Sequence, residues 1–204
     1  MNTSHRIFFE LQKEPFIANI AHKEILETPD IKGVINRIRY AISIGSVALI
    51  TGEIGSGKST ALRYVSGKLH PSEYRIIHVT ASIGSILELY RNILGELDLD
   101  PVGSSRTRMT RQIKQEIKDT VIGKKMKIVL IIDEASLLRL EVFTELHTLT
   151  QFDNDSKPFL PIVLAGQGME NYLLHHLSIA GVHRNLFEPA AITAIHQGSG
   201  GLLA

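Results

Sequence analysis

The sequence predicts an α/β protein in which helices flank a parallel β-sheet. Short apolar runs alternate along the chain with longer segments whose apolar residues recur at helical spacing. The run 128–132 is apolar without interruption, which is typical of a central strand buried on both faces. The chain has 204 residues, 44% hydrophobic and 21% charged, so we expect a packed core rather than disorder.

The individual elements follow from local patterns. Thr28-Pro29-Asp30 is a helix-start signal, with Thr28 or Asp30 as the capping residue. Strands and helices then alternate, and this alternation implies parallel strand connections. The expected strands are 46–51, 75–80, 128–132 and 160–165, and the expected helices are 31–44, 60–68, 85–94, 109–121 and 136–152.

Residues 52–59 carry the strongest chemical signal in the chain. They read Gly-Glu-Ile-Gly-Ser-Gly-Lys-Ser and fit the phosphate-binding P-loop pattern G-x-x-x-x-G-K-[ST] between a predicted strand and a predicted helix. Backbone N–H groups of such a loop and the positive end of the helix dipole bind phosphate oxygens. We therefore expect ATP to be bound by Gly52, Glu53, Ile54, Gly55, Ser56, Gly57, Lys58, Ser59 and Thr60.

An acidic pair supplies the second half of a nucleotide site. Asp133 and Glu134 end the apolar strand, 75 residues after Lys58. If this chain works as P-loop ATPases do, Lys58 reaches the β- and γ-phosphates of ATP, and Ser59 and Asp133 hold Mg²⁺. Glu134 would polarise the attacking water as the catalytic base. Taken alone, the pair also fits a strand that ends in a cap for the next helix.

Polar residues follow two further strands. Gln167 ends the fourth strand, which lies between the two motif strands in P-loop ATPases with an inserted strand. There it would act catalytically by contacting the γ-phosphate or the attacking water; the alternative is an ordinary turn glutamine. Thr80 and Ser82 follow the second strand, where they can either restrain Glu134 or cap the next helix.

Residues 104–127 concentrate positive charge. Eight Lys or Arg against two acidic residues give a local charge of +6 in a chain of net charge +1. A stripe from Met109 to Val121 is expected to face the core, so Arg111, Lys114 and Lys118 are expected to face outward. No aromatic residues interleave with these charges, which favours contact with the backbone of duplex DNA over base stacking. The alternative is a solvated helix face.

Composition also bears on the compartment. The absence of cysteine excludes disulfides and cysteine-ligated metal sites. The nine histidines lack metal-ligand spacing, and no stretch approaches the length of a membrane span. The first residues are not followed by a signal-type apolar run. We expect a soluble cytoplasmic protein.

Several segments together resemble the AAA+ ATPases of the ExeA-like group, which includes transposition-helper ATPases and a secretion-pathway ATPase. They cover nearly the whole chain: 9–16, 52–60, 93–95 with Pro101, 130–135, 162–167 and 183–201. The resemblance implies an N-terminal segment (1–28) packed on a P-loop NTPase core of AAA+ type (29–168), followed by a partial C-terminal helical lid (169–204). It also implies that Phe16 and Ile17 lie near the adenine.

The chain departs from this family pattern near its end. No fifth parallel strand is readable after the fourth, and the only arginine after Gln167 is Arg184. The arginine finger and second sensor of the family therefore have no visible counterpart, and we expect that a stretch after Gln167 and a C-terminal tail are missing from this chain. An arginine supplied in trans contributes about 10³–10⁵ in rate, so this chain alone is expected to bind ATP but hydrolyse it weakly.

The resemblance implies an ATP-dependent DNA-binding helper of transposition. Its ATP-bound copies would assemble into a homo-oligomer, a ring or filament, on double-stranded DNA and recruit or stimulate a transposase. Two alternatives stay open: a secretion-pathway ATPase coupled to a membrane complex, and a nucleotide-gated interaction module with little turnover. Stimulation of ATP hydrolysis by DNA would favour the first interpretation over the other two.

Overall fold

The computed structural model describes residues 8–12, 20–152, 158–167 and 202–203. The helices in these ranges are α1 (Pro29–Ile44), α2 (Lys58–Lys68), α3 (Ile86–Glu96), α4 (Arg106–Lys118) and α5 (Leu140–Thr150). The strands are β1 (Val47–Thr51), β2 (Tyr74–Thr80), β3 (Lys127–Asp133), β4 (Ile162–Gly166) and β5 (Leu202–Leu203). Phe16, Ile17 and nearly all of the expected lid lie outside the described residues.

The strands form one sheet in the order β2-β3-β4-β1-β5. The first four are parallel, and β4 pairs with both β1 and β3. This confirms the parallel sheet and the insertion of the fourth strand between the two motif strands. The two-residue β5, which the sequence did not predict, pairs antiparallel with Leu49 and Ile50 of β1.

Helices pack against both faces of the sheet. Val129 and Ile131 of β3 face the core formed with α1 and α2, whereas Ile128, Leu130 and Ile132 face the core formed with α3, α4 and α5. These five β3 side chains are at most 1% exposed. The uninterrupted apolar run thus marks a strand buried on both faces, as predicted.

The start of α1 agrees with the sequence prediction, whereas the start of α5 does not. The Thr28 side chain accepts a hydrogen bond from Ile31 N (3.3 Å) and so caps α1. The prediction of one helix over 136–152 was wrong in its first turn. Residues Ala135–Leu137 form a separate 3₁₀ turn, and Leu138 is extended before α5 begins at Leu140. Ala135 and Leu138 are buried in the core, and this packing interrupts the helix.

Helix α4 presents its predicted apolar stripe to the core. Met109, Ile113 and Ile117 are fully buried. The helix then continues as a π-helical turn, Asp119–Gly123, in which the Val121 side chain packs half-buried against the same core. This confirms both the stripe and the end at Gly123. Among the described helices, none has the length and apolarity needed to cross a bilayer.

Candidate nucleotide site and basic face

Both sequence motifs lie at the same edge of the sheet. Residues 52–57 connect the carboxyl end of β1 to α2, Asp133 ends β3, and Gln167 directly follows β4. Strand β4 lies between β1 and β3 in register, with Leu164 opposite both Leu49 and Ile132. Ligands of open parallel sheets bind at this carboxyl edge. The topology therefore gathers the expected phosphate loop, acidic pair and glutamine on one side of the molecule.

The loop between β1 and α2 depends on glycine. Gly57 caps α2 with φ at +88°, a left-handed conformation that strains other residues. At Gly52 an added Cβ would lie only 2.6 Å from Ser56 Oγ. The loop also turns on itself, since Ser56 N donates to Glu53 O at 3.2 Å. The loop thus leads into the start of α2, where free backbone N–H groups and the positive end of the helix dipole favour a bound anion.

Lys58 lies over this loop. Its Nζ donates hydrogen bonds to the carbonyl oxygens of Gly52 (2.9 Å) and Glu53 (2.8 Å). Lys58 as a residue is half-buried, and its ammonium group is held by the backbone that the motif assigns to phosphate binding. Phosphate oxygens can replace these two neutral acceptors with charged ones, which make stronger hydrogen bonds.

Asp133 and Glu134 differ sharply in environment. Asp133 is 8% exposed, and its Oδ1 accepts a hydrogen bond from Glu134 N at 2.9 Å. Its backbone oxygen accepts from Ala81 N (2.8 Å), which fixes the end of β3 against the segment after β2. Glu134 is exposed and has φ +53° and ψ +32°. This left-handed backbone costs about 1–2 kcal/mol in an L-residue, and strain of this kind concentrates at functional sites.

Gln167 is exposed and connected to the turn after Glu134. Its backbone N–H donates a long hydrogen bond (3.4 Å) to Ser136 Oγ. Ser136 belongs to the 3₁₀ turn that Glu134 precedes. Sequence reasoning missed this serine, because a link between two segments 31 residues apart leaves no local signal.

Ser82 takes part in the start of α3. Its Oγ donates to Glu88 Oε1 (3.0 Å) and accepts from Gly84 N (3.3 Å). Glu88 lies in the first turn of α3. These contacts connect Ser82 to the first turn of α3 but do not make it the predicted cap, because the N-cap residue of α3 is Ser85.

The donor set suits Mg²⁺ held together with ATP phosphates. Ser59 offers a hydroxyl on the first turn of α2, and Asp133 offers a carboxylate at the end of β3. Mg²⁺ in phosphate-transfer sites commonly takes one or two protein oxygens and completes its shell with phosphate and water. Within the described ranges, no three His, Asp or Glu side chains cluster as a separate metal site would require.

The expected basic face is only partly outward. Arg111 is exposed, but Lys114 and Lys118 are half-buried. Lys114 Nζ donates to Gln151 O at 2.9 Å and lies 5.5 Å from the Phe152 ring centroid. Gln151 caps the carboxyl end of α5, where a lysine ammonium satisfies a terminal carbonyl and the negative end of the dipole. The expected outward placement of Lys114 is therefore corrected.

Comparison with known proteins adds family context. General secretion pathway protein A of Aeromonas hydrophila is 24% identical over 229 aligned positions, covering 96% of this chain and 41% of that protein. The ATP-dependent target DNA activator B of Escherichia phage Mu is 28% identical over 133 positions, covering 62% of this chain and 38% of that protein. This chain thus spans less than half the length of either relative.

A solved structure supports the fold. The crystal structure of Cdc6p from Pyrobaculum aerophilum aligns with a TM-score of 0.61 at 15% identity, over 92% of this chain and 53% of that one. A family model described as AAA domain matches residues 43–173, which include the phosphate loop, the acidic pair and Gln167. Because this match covers more than half of the sequence, the chain belongs to the AAA domain family.

Proposed function

We propose that this chain binds ATP with Mg²⁺ and hydrolyses it, and that it serves as an ATP-dependent DNA-binding helper of transposition. The observation that supports ATP chemistry is the position of the phosphate loop. It follows β1 at the same sheet edge where β3 ends in Asp133 and Glu134, with β4 between them. Membership of the AAA domain family agrees with this chemistry.

Each site residue has a role that its position suits. Backbone N–H groups of residues 55–59 bind the phosphates, and Lys58 exchanges its loop carbonyls for phosphate oxygens. Ser59 and Asp133 hold the metal, which offsets phosphate charge when bound. Glu134 is exposed and accepts a proton from the attacking water. Gln167 orients that water or the γ-phosphate from the end of β4.

The DNA part of the proposal rests on charge and on one relative. The phage Mu relative is named as an ATP-dependent target DNA activator and aligns with 62% of this chain. Residues 104–127 carry a charge of +6. Because Lys114 bonds Gln151 and Lys118 is half-buried, we assign the DNA face to the exposed Arg108, Arg111 and Lys125. Contacts from such residues to phosphates give affinity without reading sequence.

We further propose that ATP-bound copies assemble on DNA as a homo-oligomer and recruit or stimulate a transposase. Assembly would let a neighbouring copy supply an arginine to the site, and such an arginine contributes about 10³–10⁵ in rate. The second candidate is a secretion-pathway ATPase, which the Aeromonas relative favours because it aligns with 96% of this chain.

Steady-state ATP hydrolysis, measured with and without duplex DNA over a range of protein concentrations, tests this function. We expect DNA to stimulate turnover, and the stimulation to rise more steeply than linearly with protein. Glu134→Gln protein is the matched control for contaminating ATPases. Turnover that is insensitive to DNA while ATP still binds would favour the secretion-pathway candidate or a nucleotide-gated module.

A further inference from the structure

A groove of about 520 Å³ separates α4 from α5 on the face of the sheet opposite α1 and α2. We call it the α4–α5 groove; its charged lining consists of Arg106, Arg111, Lys114, Lys118 and Glu145. Its size falls within the range of about 300–1,000 Å³ that is usual for ligand sites.

The α4–α5 groove has an excess of positive charge. Four cationic side chains and one carboxylate line it, which gives a charge of +3. The carboxylate, Glu145, is paired with Arg106 at 2.8 Å. The groove is thus suited to a ligand that brings several negative charges.

Three threonines also line the α4–α5 groove: Thr107, Thr110 and Thr148. The hydroxyls of Thr110 and Thr148 donate to helix carbonyl oxygens, Arg106 O at 3.0 Å and Thr144 O at 3.4 Å, so their oxygens remain available as acceptors for a ligand N–H.

The shape of the groove favours a narrow ligand over a DNA duplex. Lys114 is half-buried and bonded to Gln151 O, and Phe152 in the lining is only 2% exposed. A duplex is wider than a helix and presents its phosphates on a convex surface, so it would reach Arg111 but not the inner wall. An extended peptide is narrow, carries carboxylates at short intervals and offers backbone groups to the threonine hydroxyls.

We propose that the α4–α5 groove is the docking site for an extended acidic segment of a partner protein. This inference goes beyond the proposed ATPase function and does not depend on it. Helix α5, which supplies Glu145 and Thr148 to the groove lining, begins six residues after Glu134 along the chain.

Fluorescence anisotropy of a labelled decapeptide of alternating Asp and Ser measures binding to the chain and tests the proposal. The same peptide with Asn in place of Asp is the uncharged control. Lys118→Glu is expected to weaken binding about tenfold, because it replaces attraction with repulsion inside the groove. Glu145→Gln is expected to tighten binding about threefold, because it removes the carboxylate that competes for Arg106.

Control variants that change the net charge equally, but outside the groove, distinguish contacts in the groove from a general effect of charge on peptide affinity. Lys23→Glu changes the net charge as Lys118→Glu does, and Glu141→Gln changes it as Glu145→Gln does. Both controls lie at exposed positions outside the groove lining and should leave peptide affinity unchanged. Labelled duplex DNA and ATP are titrated against the same proteins.

Three results would overturn the proposal. The first is a peptide that fails to bind, or that binds equally well with Asn in place of Asp. The second is an equal effect of the groove variants and their controls, which would mean attraction by overall charge only. The third is a change in duplex affinity caused by Lys118→Glu and Glu145→Gln without peptide binding, which would make the groove a nucleic-acid site. ATP titration reports the nucleotide site separately.

Discussion

The backbone N–H of Glu134 donates a 2.9 Å hydrogen bond to Oδ1 of Asp133, so one member of the acidic pair orients the carboxylate of the other. Asp133 is buried by this arrangement, whereas Glu134 leaves the strand in a left-handed conformation with its side chain exposed. Two adjacent carboxylates thereby acquire different environments. The buried one suits metal binding, and the exposed one suits proton transfer with water.

Glu134→Gln is expected to retain ATP and to reduce hydrolysis by about 10²–10⁴-fold, the usual contribution of a general base. Glutamine keeps the shape of the side chain but cannot accept the proton. Equilibrium binding of a fluorescent ATP analogue and single-turnover hydrolysis measure the two effects. Glu141→Gln, at an exposed position in the first turn of α5, is the control. Normal turnover in Glu134→Gln would assign the base to another residue.

Glu134→Gly is expected to be more stable than Glu134→Ala by about 0.5–1 kcal/mol, because glycine adopts left-handed backbone without the Cβ penalty. Urea denaturation of the two variants measures this difference. Arg91, an exposed residue in the interior of α3, provides the control. There the glycine variant should be less stable than the alanine variant, because glycine disfavours a helix interior. If the glycine and alanine variants had the same order of stability at both positions, Glu134 would not be strained.

Lys58→Ala is expected to reduce ATP affinity by about 100-fold or more, because it removes a charged donor to the phosphates. Isothermal titration calorimetry with Mg²⁺ and ATP measures the decrease. Lys68→Ala, in the last turn of the same helix, should bind ATP as the unmodified chain does. Undiminished binding by Lys58→Ala would remove the phosphate-loop assignment.

The unmodified chain is expected to lose stability at alkaline pH because its buried Tyr90 must ionise. Tyr90→Phe is expected to be free of this loss. Burial raises the pKa of Tyr90 above 10.0, and Thr110 offsets this only partly. The unfolded chain therefore releases this proton first, so the stability contribution is intact below about pH 10 and decreases as pH rises above it. Denaturation at about pH 8 and at about pH 10.5 compares stability below and above the onset of this loss. Tyr40→Phe retains Tyr90 and should therefore lose stability at high pH as the unmodified chain does. An equal decrease in Tyr90→Phe would mean that ionisation of Tyr90 is not the cause.

Reversal of Arg108, Arg111 and Lys125 to glutamate is expected to weaken duplex binding and flatten its salt dependence. The slope of log K against log salt should fall by about 0.9 for each DNA phosphate that the protein no longer neutralises. Anisotropy of a labelled duplex at several salt concentrations gives both values. Reversal of Lys23, Lys32 and Lys68, also exposed, makes the same change in net charge. Equal effects of the two triple variants would mean that DNA binding has no defined face within residues 104–127.

The chemistry of the nucleotide site was readable from the sequence because its requirements are local. A phosphate loop needs glycines and a lysine within eight residues, and the buried strand before Asp133 is a continuous apolar run. The left-handed Glu134 was not readable, because glutamate has no special preference for that conformation. The link from Gln167 to Ser136 was also hidden, since it joins segments far apart in the chain.

The amino-acid sequence was enough to predict the alternation of strands and helices, the phosphate loop, the acidic pair and the basic composition of residues 104–127. These depend on residue types at short spacing, where propensity and periodicity act directly. Three-dimensional packing was needed to show that a 3₁₀ turn precedes α5, that Lys114 bonds Gln151, and that α4 and α5 leave a groove between them. Such features arise because packing brings together side chains that are distant in sequence, and no local pattern encodes which of them will meet.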